Sequence, residues 1–328
     1  MVAGTGLKLV DLGEDGVDRA FRSDVLDGLS EPQKAVPARW LYDDAGSQLF
    51  EDITKVSEYY PTRAETEILE NRSMEFSELI GPDRAIVEFG SGSSVKTPLL
   101  LRAITPAAYV PLDISGEFLR AAATDLAAKF PGLPVYPVEA DFMRKVALPD
   151  EVRDRAKLGF FPGSTIGNMV ARTAVDLLRT MRDTLGEGSQ LLIGMDLIKP
   201  PAVLQAAYDD SAGVTARFNR NLARRINREL GGTIPVEHLR HVARWNDEFA
   251  RIEMHLEAIC DLTFDIAGRS FSMNKGETIQ TENSHKFSKR SAATLLLAGG
   301  WTPLRRWTDG QEQFSLILAE ATIPRSAP

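Results

Sequence analysis

The residues best suited to chemistry begin in a short apolar stretch, residues 86–97, that reads Ile-Val-Glu-Phe-Gly-Ser-Gly-Ser-Ser-Val-Lys-Thr. The pattern predicts a strand that empties into a glycine turn and then a helix, with Pro98 where an opening helix tolerates a missing donor. Gly90 and Gly92 permit positive φ and let backbone N–H groups approach a ligand closely. Val95 stands where the dinucleotide fingerprint carries its third glycine, so the turn suits a smaller nucleoside better than a pyrophosphate. Glu88, just before the turn, can accept a hydrogen bond or balance a positive ligand, of which a sulfonium is one. Asp113 falls about where nucleotide-binding α/β units place a carboxylate for ribose hydroxyls. Asp141 followed by Phe142 can hold an adenine, the acid taking the exocyclic amine and apolar groups the ring. Each acid would serve equally as a helix N-cap, but their order after a glycine turn favours a ligand.

These residues need a scaffold, and the periodicity supplies one. Apolar positions at helical spacing over residues 63–80 end at Gly81-Pro82. Strands are expected at 86–89, 108–112, 135–138, 158–161 and 190–195, alternating with helices at 96–104, from Ser115 to Phe130, and at 172–185. Five strands alternating with helices imply an α/β protein with a parallel, doubly wound sheet. The polar turn 162–168 then faces the ligand, because open parallel sheets bind outside the C-terminal ends of their strands. Asn168 could instead cap the helix at 172–185. Beyond Lys199 the alternation fails. A helix carrying Tyr208, a basic helix at 214–230 and strands at 238–245, 251–260, 262–266 and 277–286 read as an inserted α+β lobe. A helix at 291–298 and strands at 304–308 and 314–318, joined at Asp309-Gly310, should complete the main sheet with the final strand antiparallel. The expected division is 1–62 as an N-terminal segment of the second lobe, 63–198 with 288–328 as the main domain, and 199–287 as the insertion.

Composition narrows the classes. The 328 residues are 43% hydrophobic and 26% charged, as in ordinary globular proteins. A net charge of -8 argues against a nucleic-acid partner, and the basic run 217–228 reads as a helix face. Cys260 is the only cysteine, which excludes a disulfide framework and a cysteine zinc site and fits the cytoplasm. Residues 158–171, an uncharged run, are too few and too polar to span a bilayer, and no export segment is read.

Several blocks are more specific: Trp-Leu-Tyr-Asp from Trp40, Glu-Tyr-Tyr-Pro-Thr-Arg-Ala-Glu from Glu58, Glu-Phe-Gly-Ser-Gly from Glu88, Gly-Ser-Thr-Ile-Gly-Asn from Gly163, Tyr-Asp-Asp from Tyr208, Phe-Asn-Arg-Asn from Phe218, Ala-Arg-Trp-Asn from Ala243 and Arg-Ile-Glu-Met from Arg251. In these, spread over nearly the whole chain, the sequence resembles the bacterial L-histidine Nα-methyltransferases of ergothioneine biosynthesis. The resemblance implies a class I methyltransferase (Rossmann-like) sheet with a second α+β lobe. It implies transfer of three methyl groups from S-adenosylmethionine to the histidine α-amine, giving hercynine, and no metal. Carried over by position, cofactor contacts fall on Tyr59, Gly90, Lys96, Asp113, Asp141 and Phe142. Histidine contacts fall on Tyr59, Gly163, Asn168, Tyr208, Glu282 and Ser284, with Met254 lining the imidazole pocket. Asn168 and Tyr208 would take the α-carboxylate, and Glu282 and Ser284 would face the imidazole. Asn283 departs from the pattern, which leads one to expect an apolar residue there.

On this reading positioning dominates catalysis, no dedicated base is required, and Tyr42 is the nearest candidate for helping deprotonation. The partners are histidine and its mono- and dimethylated intermediates, without nucleic acid or membrane, and the chain is expected to act as a monomer. Three rivals are weighed. A nicotinamide oxidoreductase would also use Asp113, but Val95 opposes it. A metal site at His238 and His241 would place the two rings on opposite faces of a strand. A non-catalytic binding module is the third. Within the family, tryptophan could replace histidine as acceptor.

Overall fold

A computed structural model describes residues 16–92, 96–114 and 116–322. Val95 and Ser115, the latter expected as a helix cap, lie outside the described residues. The chain divides into two compact units, the described parts of Met1–Tyr60 with Lys199–His285, and of Pro61–Ile198 with Lys286–Pro328.

The first unit begins with α1 (Arg19–Gly28) and α2 (Asp44–Ile53), capped by the carboxylates of Asp18 and Asp43. The chain then enters α3 (Tyr60–Asn71) and α4 (Ser73–Ile80). A single helix over 63–80 was the expectation. The chain breaks at Arg72 (φ −112°, ψ 12°), flanked by Asn71 and Ser73, whose side chains compete for backbone hydrogen bonds. Both halves still bury Ile68, Leu69, Phe76 and Ile80 in one core, which is why the spacing looked continuous.

The alternating region follows as β1 (Ala85–Phe89), α5 (Thr97–Ile104), β2 (Ala108–Asp113), α6 (Gly116–Lys129), β3 (Val138–Glu139), β4 (Lys157–Phe161), α7 (Ala171–Leu185) and β5 (Gln190–Asp196). The first unit resumes with α8 (Pro201–Tyr208), α9 (Val214–Leu230), β6 (Leu239–Asn246), β7 (Arg251–Ala258), β8 (Leu262–Ile266), β9 (Arg269–Met273) and β10 (Thr278–His285). The second closes with α10 (Lys289–Ala298), β11 (Trp301–Thr308) and β12 (Phe314–Ala321).

In the second unit seven strands run in the order β11-β12-β5-β4-β1-β2-β3. All pair in parallel except β12, which is antiparallel to both its neighbours. Every residue of β1 is buried, as a strand covered on both faces must be. Ala85, Val87 and Phe89 belong to one core and Ile86 to the other, so alternation assigns Glu88 to the Ile86 side. The third strand, expected at 135–138, is shorter and shifted. Pro134 and Pro137 remove ladder donors, leaving an isolated bridge from Tyr109 to Val135 before β3.

In the first unit β10-β7-β6 form an antiparallel sheet, and β8 and β9 a separate hairpin. Strand β9 was not anticipated. Ala267 and Gly268 have φ of 48° and 78°, the geometry of a two-residue hairpin turn, so the chain doubles back at once. Helix α9 buries Phe218, Leu222, Ile226 and Leu230 at four-residue spacing while Arg224 and Arg228 stay exposed, as the basic run suggested. Among the described residues, no helix is long and apolar enough to cross a membrane.

Where β5 ends, Asp196 accepts from Lys286 Nζ at 2.8 Å, with both side chains essentially buried. Replacing Lys286 by Met removes the ion-pair partner of a desolvated carboxylate and should cost about 3–5 kcal/mol of unfolding free energy. Urea titrations followed by circular dichroism measure this, and the double variant Asp196→Asn/Lys286→Met should recover part of the loss.

Candidate functional site

The glycine turn of the second unit is built on backbone. Gly90 and Gly92 adopt φ of 69° and 47°. The N–H groups of Gly90 and Ser91 donate to Leu112 O at 2.9 and 3.1 Å, and that of Gly92 to Asp113 Oδ2 at 3.0 Å, so the turn folds over the end of β2. Asp113 thus holds the turn. A Cβ on Gly90 would lie 3.3 Å from the Phe142 ring, so glycine keeps the slot beside that ring open. Asp141 accepts from Met143 N–H at 2.9 Å, a local turn, while Phe142 packs edge-on to Phe89 and Phe161. A positive-φ turn, a ring edge and two acids at successive strand ends suit a nucleoside with hydroxyl and amine groups.

Glu88, expected to accept a hydrogen bond or balance a positive ligand, accepts hydrogen bonds inside the fold. It is only 2% exposed, and its Oε2 accepts from Thr97 Oγ1 at 2.7 Å and Tyr109 Oη at 2.6 Å. Burial pushes its pKa up to about 7, with the two hydroxyls pulling against that rise. It braces the start of α5 against β1 and β2 from within the core.

A residue that sequence reasoning missed stands beside it. Glu65 on α3 is fully buried, pairs with Lys96 Nζ, and accepts the Gly163 N–H at 3.0 Å from each carboxylate oxygen. It therefore joins two of the expected site residues. The turn that carries Gly163 (φ 76°) and Ser164 (φ 57°) leads into a 3-10 turn, Thr165–Asn168. Val170, not Asn168, is the N-cap position of α7. The Asn168 carboxamide makes no hydrogen bond among the described residues, and it is partly exposed.

In the first unit a register shift decides which side chains meet. Ile279 pairs with Leu256, Glu282 with Met254 and Ser284 with Ile252, with a bulge between Gln280 and Glu282. Without it, alternation would put Thr281 and Asn283 on the face of Ile279. With it, Glu282 and Ser284 share the face of Met254, and all three are buried. Asn283 pairs with Glu253 on the opposite face and accepts from Gln280 Nε2 at 2.7 Å, so its departure from the family pattern lies away from Glu282.

Tyrosines close on the same face. Tyr208 ends α8, and its hydroxyl lies 2.6 Å from Ser284 Oγ. Its ring is edge-on to Tyr59 at 6.3 Å, Tyr59 meets Phe50, and Tyr42 packs on Phe50 and Phe218 at 5.5 and 5.4 Å. Tyr42 is delivered by its neighbours. The Trp40 indole donates to Asp24 at 2.8 Å while Arg225 donates to Trp40 O at 3.0 Å, and Asp43 accepts from Asn221 Nδ2 and Arg228. Desolvation, reinforced by Glu282, Tyr59 and Tyr208, holds the Tyr42 pKa well above the usual phenol value. Such a shift makes the phenol a weaker acid than a solvated one.

Behind Tyr208 lies a chain of polar groups also missed in the sequence. Asn219 Nδ2 is 2.9 Å from His241 Nδ1 and 3.0 Å from His255 O, and His241 Nε2 is 2.7 Å from Tyr208 O. The Asn219 amide nitrogen, which also donates to His255 O, can only donate, so the imidazole is neutral with its proton on Nε2, donated to the last carbonyl of α8. Burial lowers the His241 pKa, with the bond to Tyr208 opposing. His238, its supposed metal partner, sits in the turn Val236–His238 before β6. Among the described residues no group of three or more His, Cys, Asp or Glu could hold a metal. The signal for Asn219 was present in the block Phe-Asn-Arg-Asn, as Glu65 was in the block from Glu58, but neither position announces its partner in sequence.

A family model described as "Histidine-specific methyltransferase, SAM-dependent" matches residues 21–321. Histidine N-alpha-methyltransferase of Mycolicibacterium smegmatis is 40% identical over 94% of this chain and 97% of its own length. The protein of the same name from Mycobacterium tuberculosis has the same identity and coverage. Ergothioneine biosynthesis protein 1 of Neurospora crassa is 31% identical over 88% of this chain, which spans 34% of that longer protein.

The neutral His241 carries a pH signature. The unfolded imidazole titrates near 6.5 and the folded one lower, so below 6.5 the unfolded state binds more protons and stability falls as pH drops. His241→Gln offers an acceptor to Asn219 and a donor to Tyr208 O without titrating. Urea unfolding at pH 8 and pH 5.5 should therefore show a smaller acid loss in the variant than in the wild type, the remainder including His255, whose pKa burial also lowers.

Proposed function

This chain belongs to the SAM-dependent, histidine-specific methyltransferase family, and from that premise we propose that it trimethylates the α-amino group of L-histidine to hercynine, the first step of ergothioneine biosynthesis. That it is an S-adenosylmethionine-dependent N-methyltransferase acting on histidine follows from the family and its relatives. The degree of methylation, the residues in contact and the setting, a cytoplasmic monomer, are our reading. The observation that carries it is the bulged strand β10, which puts a buried carboxylate, Glu282, beside Met254 and on one face with Ser284.

When bound, S-adenosylmethionine supplies a methyl group activated by a sulfonium for in-line displacement. The glycine turn (Gly90, Gly92), Asp113 and the Asp141-Phe142 pair receive the nucleoside, with Lys96 at the exit of the turn and Tyr59 as a further contact. Glu88 acts indirectly, by fixing Thr97 and the start of α5. Histidine is held by its two ends. Glu282 accepts an imidazole N–H in a charge-assisted bond, Ser284 adds a hydroxyl, and Met254 fills the apolar side. Asn168 and Tyr208 take the α-carboxylate, and the Gly163 turn contacts the amino acid. Tyr208 arrives pre-set, since its hydroxyl is bonded to Ser284 and its carbonyl to His241.

The nucleophile is the neutral amine, whose lone pair must point along the transferable bond. Holding reactants in such geometry can contribute about 7–11 kcal/mol, so positioning suffices and each released proton passes to solvent. The protonated Tyr42 donates a hydrogen bond and helps orient the amino acid. A buried acceptor such as Glu282 discriminates against an apolar amino acid, which would leave the carboxylate unmatched.

Mass spectrometry of reactions supplied with S-adenosylmethionine and histidine should show three methyl groups added to histidine, and no comparable product with tryptophan. Glu282→Ala should raise the histidine KM roughly 10- to 150-fold, the range for a hydrogen bond to a charged group. Its affinity for S-adenosylhomocysteine, read by calorimetry, should stay near the wild-type value; parallel losses of both affinities would refute the assignment of Glu282.

A further inference from the structure

We propose that Glu65 is a positioning residue for methyl transfer, its buried carboxylate tying Lys96 at the exit of the glycine turn to the backbone of Gly163 after β4. The proposal rests on the reading above, in which Lys96 serves the donor and Gly163 the amino acid.

The geometry is that of a built feature. Glu65 comes from α3, Lys96 from the N-terminus of α5 and Gly163 from the turn after β4, so one side chain fastens three segments far apart in sequence. A fourth segment makes room for it. Gly194 lies within β5, where glycine weakens a strand, and a Cβ there would sit 2.5 Å from Glu65 Oε1. The strand is left bare where the carboxylate lies. Glu65 has no exposure and Lys96 retains 18%, so the carboxylate is desolvated while the ammonium stays within reach of the surface. A carboxylate in that position needs its donors, and it has them in a charged partner and an amide N–H that both oxygens share. Lys96 Nζ is also 3.8 Å from where a Gly163 Cβ would be, so the two contacts of Glu65 are themselves neighbours. Losing the charge releases the lysine and loosens the turn together, with no change in any group that the reaction consumes.

The test uses the purified full chain, with Glu65→Gln, Lys96→Met and the double variant. Gln keeps the volume and an acceptor for the Gly163 N–H but presents an amide to the ammonium. Single-turnover methyl transfer at saturating substrates, below each variant's melting temperature, should fall roughly 100-fold in Glu65→Gln, the scale for a misplacement of about 1 Å. Adding Lys96→Met to that background should change the rate and the S-adenosylhomocysteine affinity far less than it does in the wild type. A wild-type rate in folded Glu65→Gln, or losses that simply multiply in the double variant, would overturn the proposal. Should Glu65→Gln fail to fold, Gly194→Ala displaces the carboxylate without removing it, and since its methyl would also lie 3.0 Å from the Phe314 ring it is read beside Gly194→Ala/Phe314→Leu; both should slow transfer in the same assay, whereas an unchanged rate would overturn the proposal. If the wild-type chain methylated no histidine, the functional reading would fail, and the coupling between Glu65 and Lys96 would still be read in S-adenosylhomocysteine binding.

Discussion

A carboxylate taken out of water must find donors, and that requirement shapes the working parts of this protein. Glu65, Glu88, Asp196 and Glu282 are each buried to 8% exposure or less. Glu88 takes hydroxyls from α5 and β2, Glu65 an ammonium and an amide, and Asp196 the buried Lys286. In the second unit each thereby fixes a turn or strand end at the C-terminal edge of the sheet, where an α/β fold keeps its chemistry. Loops pinned in this way need little motion to present backbone N–H groups to a ligand. The cost of desolvation is offset by geometry that a freer loop would lack.

The first unit reaches the same result with strand parity. One extra residue in β10 carries Glu282 and Ser284 onto the face of Met254, and sends Asn283 to the other side. A local backbone irregularity thus decides which side chains of this strand end are buried beside Met254 and which lie on the opposite face. Behind that face, the neutral His241 satisfies a carbonyl at the end of α8, one of the acceptors a helix leaves open, and so holds Tyr208 by its main chain as well as its hydroxyl. The N-terminal segment adds Tyr42 because Trp40 and Asp43 on either side of it are bonded to Arg225, Asn221 and Arg228 of α9.

Much of this was legible in the amino-acid order, because hydrophobic periodicity and glycine placement are local. The five alternating strands, the antiparallel final strand, the glycine turn, and the start and stop of α9 all follow from spacing and turn chemistry that act over a few residues. The resemblance carried by the blocks around Trp40, Glu58, Glu88 and Gly163 brought the family with it. What failed locally failed for identifiable reasons. Two helices shared one apolar stripe across Arg72, prolines cut β3 to two residues, and a tight turn hid β9 behind its partner.

The sequence by itself determined the sheet, its winding and the acids that stand at its strand ends, since these depend on neighbours in the chain. Only the tertiary structure decided which acids are bonded within the scaffold and to what. Glu88 and Glu65 look alike in sequence to any acid near a helix or strand end, and their partners Tyr109 and Gly163 lie 21 and 98 positions away. Hydrogen bonding in a desolvated interior is set by distance in space, so the roles of Glu65, His241 and Asn219, and the inward turn of Glu282, appear only once the chain has folded.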